Sequence, residues 1–276
     1  LQPDDASAQL RLARVLAWLG KAEAGSRLFS RSTVAALMAA EDHTAHAFVL
    51  FAIGQTREAA RVIENLRARG DEGPRLTLQL AHIYAARDNW AAAIPLYLQL
   101  LRTKPADGHL NKSYGMALLA RGRHAEAVEP LRRASEALPS DGAAGLAYAR
   151  ALKGANRRAA AAREFRRVMP MYARDAPVTR EFADLLLEQK QYAESARHYK
   201  QAVSLGLVDV RLYLGLSGAL QASRKPREAL PFLEQAYRLA PTRRVGLELA
   251  RLLNRLGDNK QALAVLDALP SANAAF

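Results

Sequence analysis

The sequence predicts an all-α solenoid of about eight helix-turn-helix repeats, and three observations predict it. Small residues recur at Gly25, Ala59, Ala93, Ala127, Ala161, Ser195, Ala229 and Ala262, at intervals of 34 six times and then 33. A second small set keeps the same register, at Ala13, Ala47, Ala81, Gly115, Ala149, Ala183, Ser217 and Ala250. Four residues after each member of the first set stands a large apolar one: Phe29, Ile63, Tyr97, Leu131, Phe165, Tyr199, Leu233 and Leu266. Antiparallel helices approach closely only where side chains are small, and bulky residues one turn away fill the space between ridges. The three sets must therefore recur together in any helical stack, and a single repeat is too small to bury its own face.

Residues 77–105 show the layout of one repeat. A first amphipathic helix runs to about Ala86, with Leu80, Ala81 and Tyr84 on one face. Arg87, Asp88 and Asn89 make a turn, and a second helix begins near Trp90 with Ala93, Tyr97 and Leu100 on its apolar face. Lys104 and Pro105 end it, because proline has no N–H and biases its predecessor away from the α region.

In chain order the repeats fall at about 6–39, 40–73, 74–107, 108–141, 142–175, 176–209, 210–242 and 243–276. The first has Trp18 near the end of its first helix and a polar, irregular second helix around Ser26 to Ser32. The second carries His43 and His46, a spacing that could ligate a metal on one helix face, but with no third ligand the pair is expected to pack instead. The third and fourth are the most regular. Met169-Pro170-Met171-Tyr172 closes the fifth in an extended or kinked helix end, and the sixth ends in Gly206 and Leu207. Pro95, Pro130 and Pro231 are expected within the first turns of second helices, where a missing N–H matters least. Ser271 to Phe276 offer no polar capping helix.

This pattern resembles the tetratricopeptide repeat (TPR) along the whole chain. The match is best at 77–105 and at 111–139, through Tyr114, Gly115, Leu118, Gly122, Ala127, Leu131, Ala134 and Pro139. Two departures stand out. The family's early tryptophan is replaced by Gln9, His43, Thr77, Asn111, Gly145, Thr179, Tyr213 and Gly246, and its first-helix tyrosine survives only as Tyr84. The resemblance implies a right-handed superhelical solenoid whose first helices line a concave groove. Carried over by register, that groove holds Leu10, Arg14, Phe48, Phe51, Leu78 and His82 early, then Lys112, Met116 and Leu119. Arg150, Lys153, Arg180, Asp184, Leu187, Arg211, Gln221 and Arg251 follow. Phe48, Phe51, Met116 and Leu119 would suit an apolar helix or peptide, and Arg150, Lys153, Arg180 and Arg211 would suit carboxylates. Several of these residues would equally serve by packing between repeats. The carboxylate clamp of the family's chaperone-binding members is not matched, since Lys112 is followed by Ser113 and Met116.

Composition narrows the function further. A hydrophobic content of 50% with 7% aromatic residues fits helices held together by Ala and Leu. There are no cysteines, so thiol chemistry is excluded. No apolar run among these residues is long enough to span a membrane, and none reads as a signal peptide, which says little of a chain expected to be an excerpt. The chain begins Leu1-Gln2-Pro3-Asp4-Asp5, and Pro3 lies in register with Pro105, so the array is expected to be excerpted from a longer protein. The net charge of +13 favours acidic partners, although 32 of the 40 basic residues are Arg and most sit on expected solvated faces such as Arg132, Arg133, Arg157, Arg158, Arg166 and Arg167.

No nucleophile arrangement, phosphate loop or metal cluster has a recognisable signature. Glu181, Asp184 and Glu188 share a helix face, where carboxylates are ordinarily solvated or paired. The expectation is a non-catalytic protein-protein interaction scaffold with no cofactor and no metal. Its partner is another protein, with nucleic acid disfavoured and no membrane insertion. The array also looks like the periplasmic repeat regions of bacterial exopolysaccharide exporters of the Pel, cellulose and poly-N-acetylglucosamine type, which implies a periplasmic setting and a polysaccharide-modifying enzyme as partner. The alternatives are electrostatic binding of an anionic polymer, nucleic acid or polysaccharide, by the basic face, and a regulatory array of a larger enzyme.

Overall fold

The computed structural model describes residues 5–71 and 73–269; the expectations placed on Pro3 and on Ser271 to Phe276 lie outside them. Every regular element among the described residues is helical. The helices pair by repeat as α1 (Ala6–Trp18) with α2 (Ala22–Phe29), α4 (Ala40–Ala52) with α5 (Thr56–Ala68), α6 (Pro74–Ala86) with α7 (Trp90–Thr103), and α8 (Gly108–Ala120) with α9 (His124–Ala137). There follow α10 (Gly142–Gly154), α11 (Arg158–Val168), α12 (Ala176–Glu188) with α13 (Tyr192–Ser204), α14 (Val210–Ala222) with α15 (Pro226–Leu239), and α16 (Arg243–Leu256) with α17 (Asn259–Asp267). A four-residue α3 (Ser32–Ala35) follows α2, and a 3-10 turn, Met169–Tyr172, follows α11. The all-α repeat solenoid read from the periodicity is the architecture of the chain.

The described residues divide between Ala147 and Tyr148 into two compact units. In the first, α1 packs on α2 and α4, α4 on α5 and α6, and α7 on α8. In the second, α13 packs on both α12 and α14, and α15 on α14 and α16. The cores are the small and large sets themselves. Both small sets are buried throughout, as are seven of the eight large residues; the exception is Leu266, 40% exposed on the last helix.

Local chemistry fixes where each helix begins. Asp5, Asp107, Asp141, Asp175, Asp209 and Thr242 accept hydrogen bonds from N–H groups in the first turns of the first helices that follow them. The position where the family carries tryptophan is buried in every repeat but the second, where His43 is half-buried, and three of its polar occupants satisfy themselves locally. Thr77 and Thr179 donate to the carbonyls of Gly73 and Asp175, and the Asn111 amide donates to those of Pro105 and Asp107. Between first and second helices the chain turns through a left-handed residue in each of the eight repeats, at Gly20, Gly54, Asp88, Gly122, Asn156, Lys190, Arg224 and Gly257.

Two expectations need correction. The three helix prolines do not lie in first turns: Pro95, Pro130 and Pro231 fall inside α7, α9 and α15, past their first turns. They are tolerated because the carbonyls they leave without an N–H, on Ala91, Glu126 and Arg227, belong to exposed residues that water can reach. The second helix of the first repeat is irregular as expected but sits earlier, at Ala22–Phe29, and breaks at Ser30 before α3.

Candidate partner-binding groove

A groove of about 890 Å³ opens in the first unit, between the first helices of three successive repeats. Helix α1 contributes Arg14, Ala17 and Trp18; α4 contributes Glu41, Thr44, Ala45 and Phe48; α6 contributes Arg75, Leu76 and Gln79; and Asp71 stands in the loop before α6. Arg14 and Phe48 hold the same register position, one residue after the small Ala13 and Ala47, so burial of those alanines forces their neighbours outward. Trp18 is 85% exposed and Phe48 56%, an unusual display for two large aromatic side chains. The buried Gln79 side-chain nitrogen has no hydrogen-bond partner, leaving a donor on the groove wall.

Charge is placed on the same wall. The Arg14 guanidinium grips Asp42 with two parallel bonds, Nη2 to Oδ2 being 2.9 Å, and the Ala39 N–H donates to Oδ2 at the same distance. Asp42 is only 1% exposed, and the bond from Arg14 holds its carboxyl below the usual aspartate range. Glu41, Asp71 and Arg75 are exposed and make no ion pair within 4 Å among the described residues. The groove thus offers exposed aromatic side chains together with the free charges of Glu41, Asp71 and Arg75.

The remaining expected groove residues divide by environment. In the first unit Leu10 is buried beside Phe29, while Phe51 and Leu78 are half-buried against the core. His82 packs against the Tyr97 ring at 5.8 Å, Met116 is 44% exposed, and Leu119 is half-buried. Lys112 bonds to Asp141 at 2.6 Å. In the second unit Arg150 pairs with Glu181 at 2.8 Å and Arg180 pairs with Asp209. Two of the four side chains expected to receive carboxylates thus already hold one from the next repeat, whereas Lys153, Arg211 and Arg251 have no ion pair among the described residues. Leu187 packs half-buried on its core, and Gln221 accepts a bond from Arg255.

The carboxylates of α12 are each engaged. Glu181 and Glu188 take Arg150 and Arg158, and Asp184, whose pKa burial raises, accepts a bond from the Tyr199 hydroxyl. Of the histidine pair, His46 stacks on Phe29 at 5.3 Å and burial lowers its pKa, while His43 is half-buried. No group of three or more metal-ligating side chains occurs among the described residues.

Models of the tetratricopeptide repeat match residues 44–108, 78–142 and 180–244, and a second such model matches 220–275. The chain belongs to the tetratricopeptide-repeat family. Solved structures of MamA share the TPR fold. One titled as the crystal structure of MamA is 14% identical, covers 60% of this chain and 90% of its own, and has a TM-score of 0.56. MamA from Desulfovibrio magneticus RS-1 is 20% identical over 58% of this chain and 91% of its own, with a TM-score of 0.52. At that identity the likeness is one of fold. The comparison with curated proteins gave no match.

Trp18, Glu41, Asp71, Arg75 and Gln79 of this TPR groove were not singled out for it by sequence. Register could have found two of them, because Glu41 and Arg75 occupy the position that Arg211 holds further along. Trp18 ends its helix, outside the register that was carried over.

Proposed function

We propose that the chain is a non-catalytic scaffold that holds a segment of a partner protein in the groove between α1, α4 and α6. Membership of the TPR family supports a protein-binding role. The observation that carries the reading is the joint exposure of Trp18 and Phe48 across an open groove of about 890 Å³. Desolvated aromatic anchors dominate binding energy at protein interfaces, and a groove of this kind takes an amphipathic helix or extended segment by its apolar face. Arg75, Glu41 and Asp71 on the rim would fix the register of the segment.

The setting we propose is bacterial exopolysaccharide secretion in the periplasm, with a polysaccharide-modifying enzyme as the recruited partner. Its support is the Ala-, Leu- and Arg-rich repeat composition, and it stands on that resemblance alone. The test is affinity capture from the native organism at low and high salt, with the wild-type chain and with W18A/F48A side by side. A protein held by the wild type at high salt and lost by the double variant supports the groove. The same proteins retained by both chains would refute it. Groove-dependent partners that include no polysaccharide-modifying enzyme would refute the setting while leaving the scaffold intact.

A further inference from the structure

The edge formed by the turns between first and second helices of the fifth, sixth and seventh repeats, in the second unit, carries a separate inference. Those turns place Asn156, Lys190 and Arg224 in the left-handed region, at φ of 61°, 61° and 60°. Elsewhere the same register position is filled by Gly20, Gly54, Gly122 and Gly257, or by Asp88. Glycine has no β-carbon to clash there, and Asn and Asp tolerate the region through local hydrogen bonding. Lys and Arg have neither advantage. Lys190 and Arg224 therefore occupy turns whose backbone favours other residues, and the side chains of both are exposed without an ion pair or hydrogen bond among the described residues. Strain kept at a site where nothing structural uses the side chain points to a use for the side chain.

The neighbours share the charge. Arg157, Arg158, Lys225 and Arg227 are exposed on the same turns and helix starts. Against these six cations the edge sets three carboxylates, each already paired: Glu188 on Arg158 at 3.1 Å, Glu194 on Arg166 at 2.7 Å, and Glu228, which bonds Lys200 at 2.8 Å and Lys225 at 3.1 Å. The turns lie side by side. Gln189 donates to the Arg158 carbonyl at 2.7 Å, tying the first turn to the second, and α12 and α14, which run parallel and touch, bring the second beside the third.

We propose that this edge binds an acidic stretch of a partner polypeptide, whose Asp and Glu side chains are taken by Arg157, Lys190, Arg224 and Arg227. The proposal rests on the protein-binding reading above but uses a different surface. Guanidinium groups pair with carboxylates through two parallel bonds, and side chains on adjacent turns of the stack can meet successive acidic residues of an extended chain. The edge shows no exposed aromatic ring on which a base could stack, Tyr192 being half-buried, and no large exposed apolar side chain to enter a lipid surface.

The test is fluorescence anisotropy of a labelled octaglutamate peptide with the whole chain, over a salt titration. For K190G/R224G the expected result at low salt is binding about fivefold to tenfold weaker. Its melting temperature should stay level or rise, because glycine suits the turn. R163Q/R197Q removes the same charge from exposed positions on α11 and α13 and should leave affinity within about twofold. No binding by the wild type, no loss in K190G/R224G, or an equal loss in both variants would overturn the proposal. So would tighter binding of polyuridylate or of phosphatidylserine vesicles than of octaglutamate. W18A/F48A, which tests the groove, should bind octaglutamate as the wild type does, so failure of one reading is distinguishable from failure of the other.

Discussion

The two units share one register and differ in what they show to solvent. Residues 1–147 carry 18 Lys and Arg against 15 Asp and Glu, whereas residues 148–276 carry 22 against 12, so most of the excess charge lies in the second unit. The first unit exposes Trp18 and Phe48 around a groove. The second leaves none of its described aromatics exposed: Phe165 and Phe182 stack at 5.5 Å, and Tyr199 is 1% exposed with its hydroxyl on Asp184. The difference teaches that a repeat register dictates the core and leaves the outward positions open. One unit can then be apolar and receptive while the other is cationic, with no change of fold.

The largest expected effect separates the two cores. Gly115 and Gly215 both lie on first helices against a bulky partner. An added β-carbon would sit 2.7 Å from Leu131 Cδ2 in the first unit and 2.5 Å from Tyr199 Cζ in the second. Leu131 is fully buried and meets the added carbon with its Cγ as well, so it must move about χ1 within a packed core, whereas Tyr199 is a larger, rigid ring held at its far end by Asp184. Gly215→Ala should therefore cost about 2–3 kcal/mol and Gly115→Ala about 1–2 kcal/mol, after the gain in helix propensity. Hydrogen exchange over α14 and α15 against α8 and α9 would measure each locally. Equal losses would mean that the hydroxyl bond does not lock the ring.

A smaller contrast is set by Arg14 and Arg150, which share a register position. Arg14→Met leaves the buried Asp42 with only the Ala39 N–H, and should cost about 1–2 kcal/mol. Glu181 keeps 22% of its side chain in solvent, so Arg150→Met should cost about 0.5 kcal/mol or less. Denaturant titration of each variant would check this. A larger loss for Arg150→Met would show that burial of the acceptor does not set the value of these inter-repeat pairs.

These contrasts also show what the sequence could carry. The small and large sets report on close packing, which a one-dimensional pattern records, and the helix limits around Ala86, Trp90 and Thr103 follow from turn and proline chemistry. The outward residues obey no such rule. Arg180 and Lys112 were read as groove cations, yet each bonds an aspartate 29 residues on, at the start of the next first helix. Only the rise from one repeat to the next decides whether such a side chain faces a ligand or its neighbour, and the register alone does not encode it. Trp18 was legible as an aromatic at a helix end, but its exposure follows from the absence of a packing partner, which is a property of the fold.

Acidification should separate the two units against a loss they share. The bond from Arg14 lowers the pKa of Asp42, so that residue stabilises the fold above the usual aspartate value near 3.8 and its contribution is lost as pH falls below it. Burial raises the pKa of Asp184, so the folded state takes up a proton more readily, and stability from this group is gained as pH falls towards 3.8. Burial also lowers the pKa of His46 on α4 and of His198 on α13, so protection in both units should fall as pH drops below about 6.5. Against that shared loss Asp184 restores protection to α12 and α13 between pH 7 and 4, and Asp42 removes more from α1 and α4 below pH 4. Asp184→Asn should therefore deepen the acid loss in α12 and α13 and Asp42→Asn should lessen it in α1 and α4; pH profiles unchanged by either substitution would show that neither carboxylate matters.

The smallest expected effect on stability is the most informative about function. Trp18→Ala and Phe48→Ala remove side chains that are 85% and 56% exposed, so neither leaves a cavity, and each should change stability by about 0.5 kcal/mol or less. Phe29→Ala, at a fully buried position of the same unit, should cost about 3–5 kcal/mol. In the proposed groove both aromatics count at an interface rather than in the fold. If thermal denaturation instead shows Trp18→Ala to be as damaging as a core substitution, the ring is packed in solution and the floor of the groove is not free to bind. If stability is unchanged while capture of a partner is lost, the two aromatics act at the interface alone, and the first unit rather than the basic second one is where that partner docks.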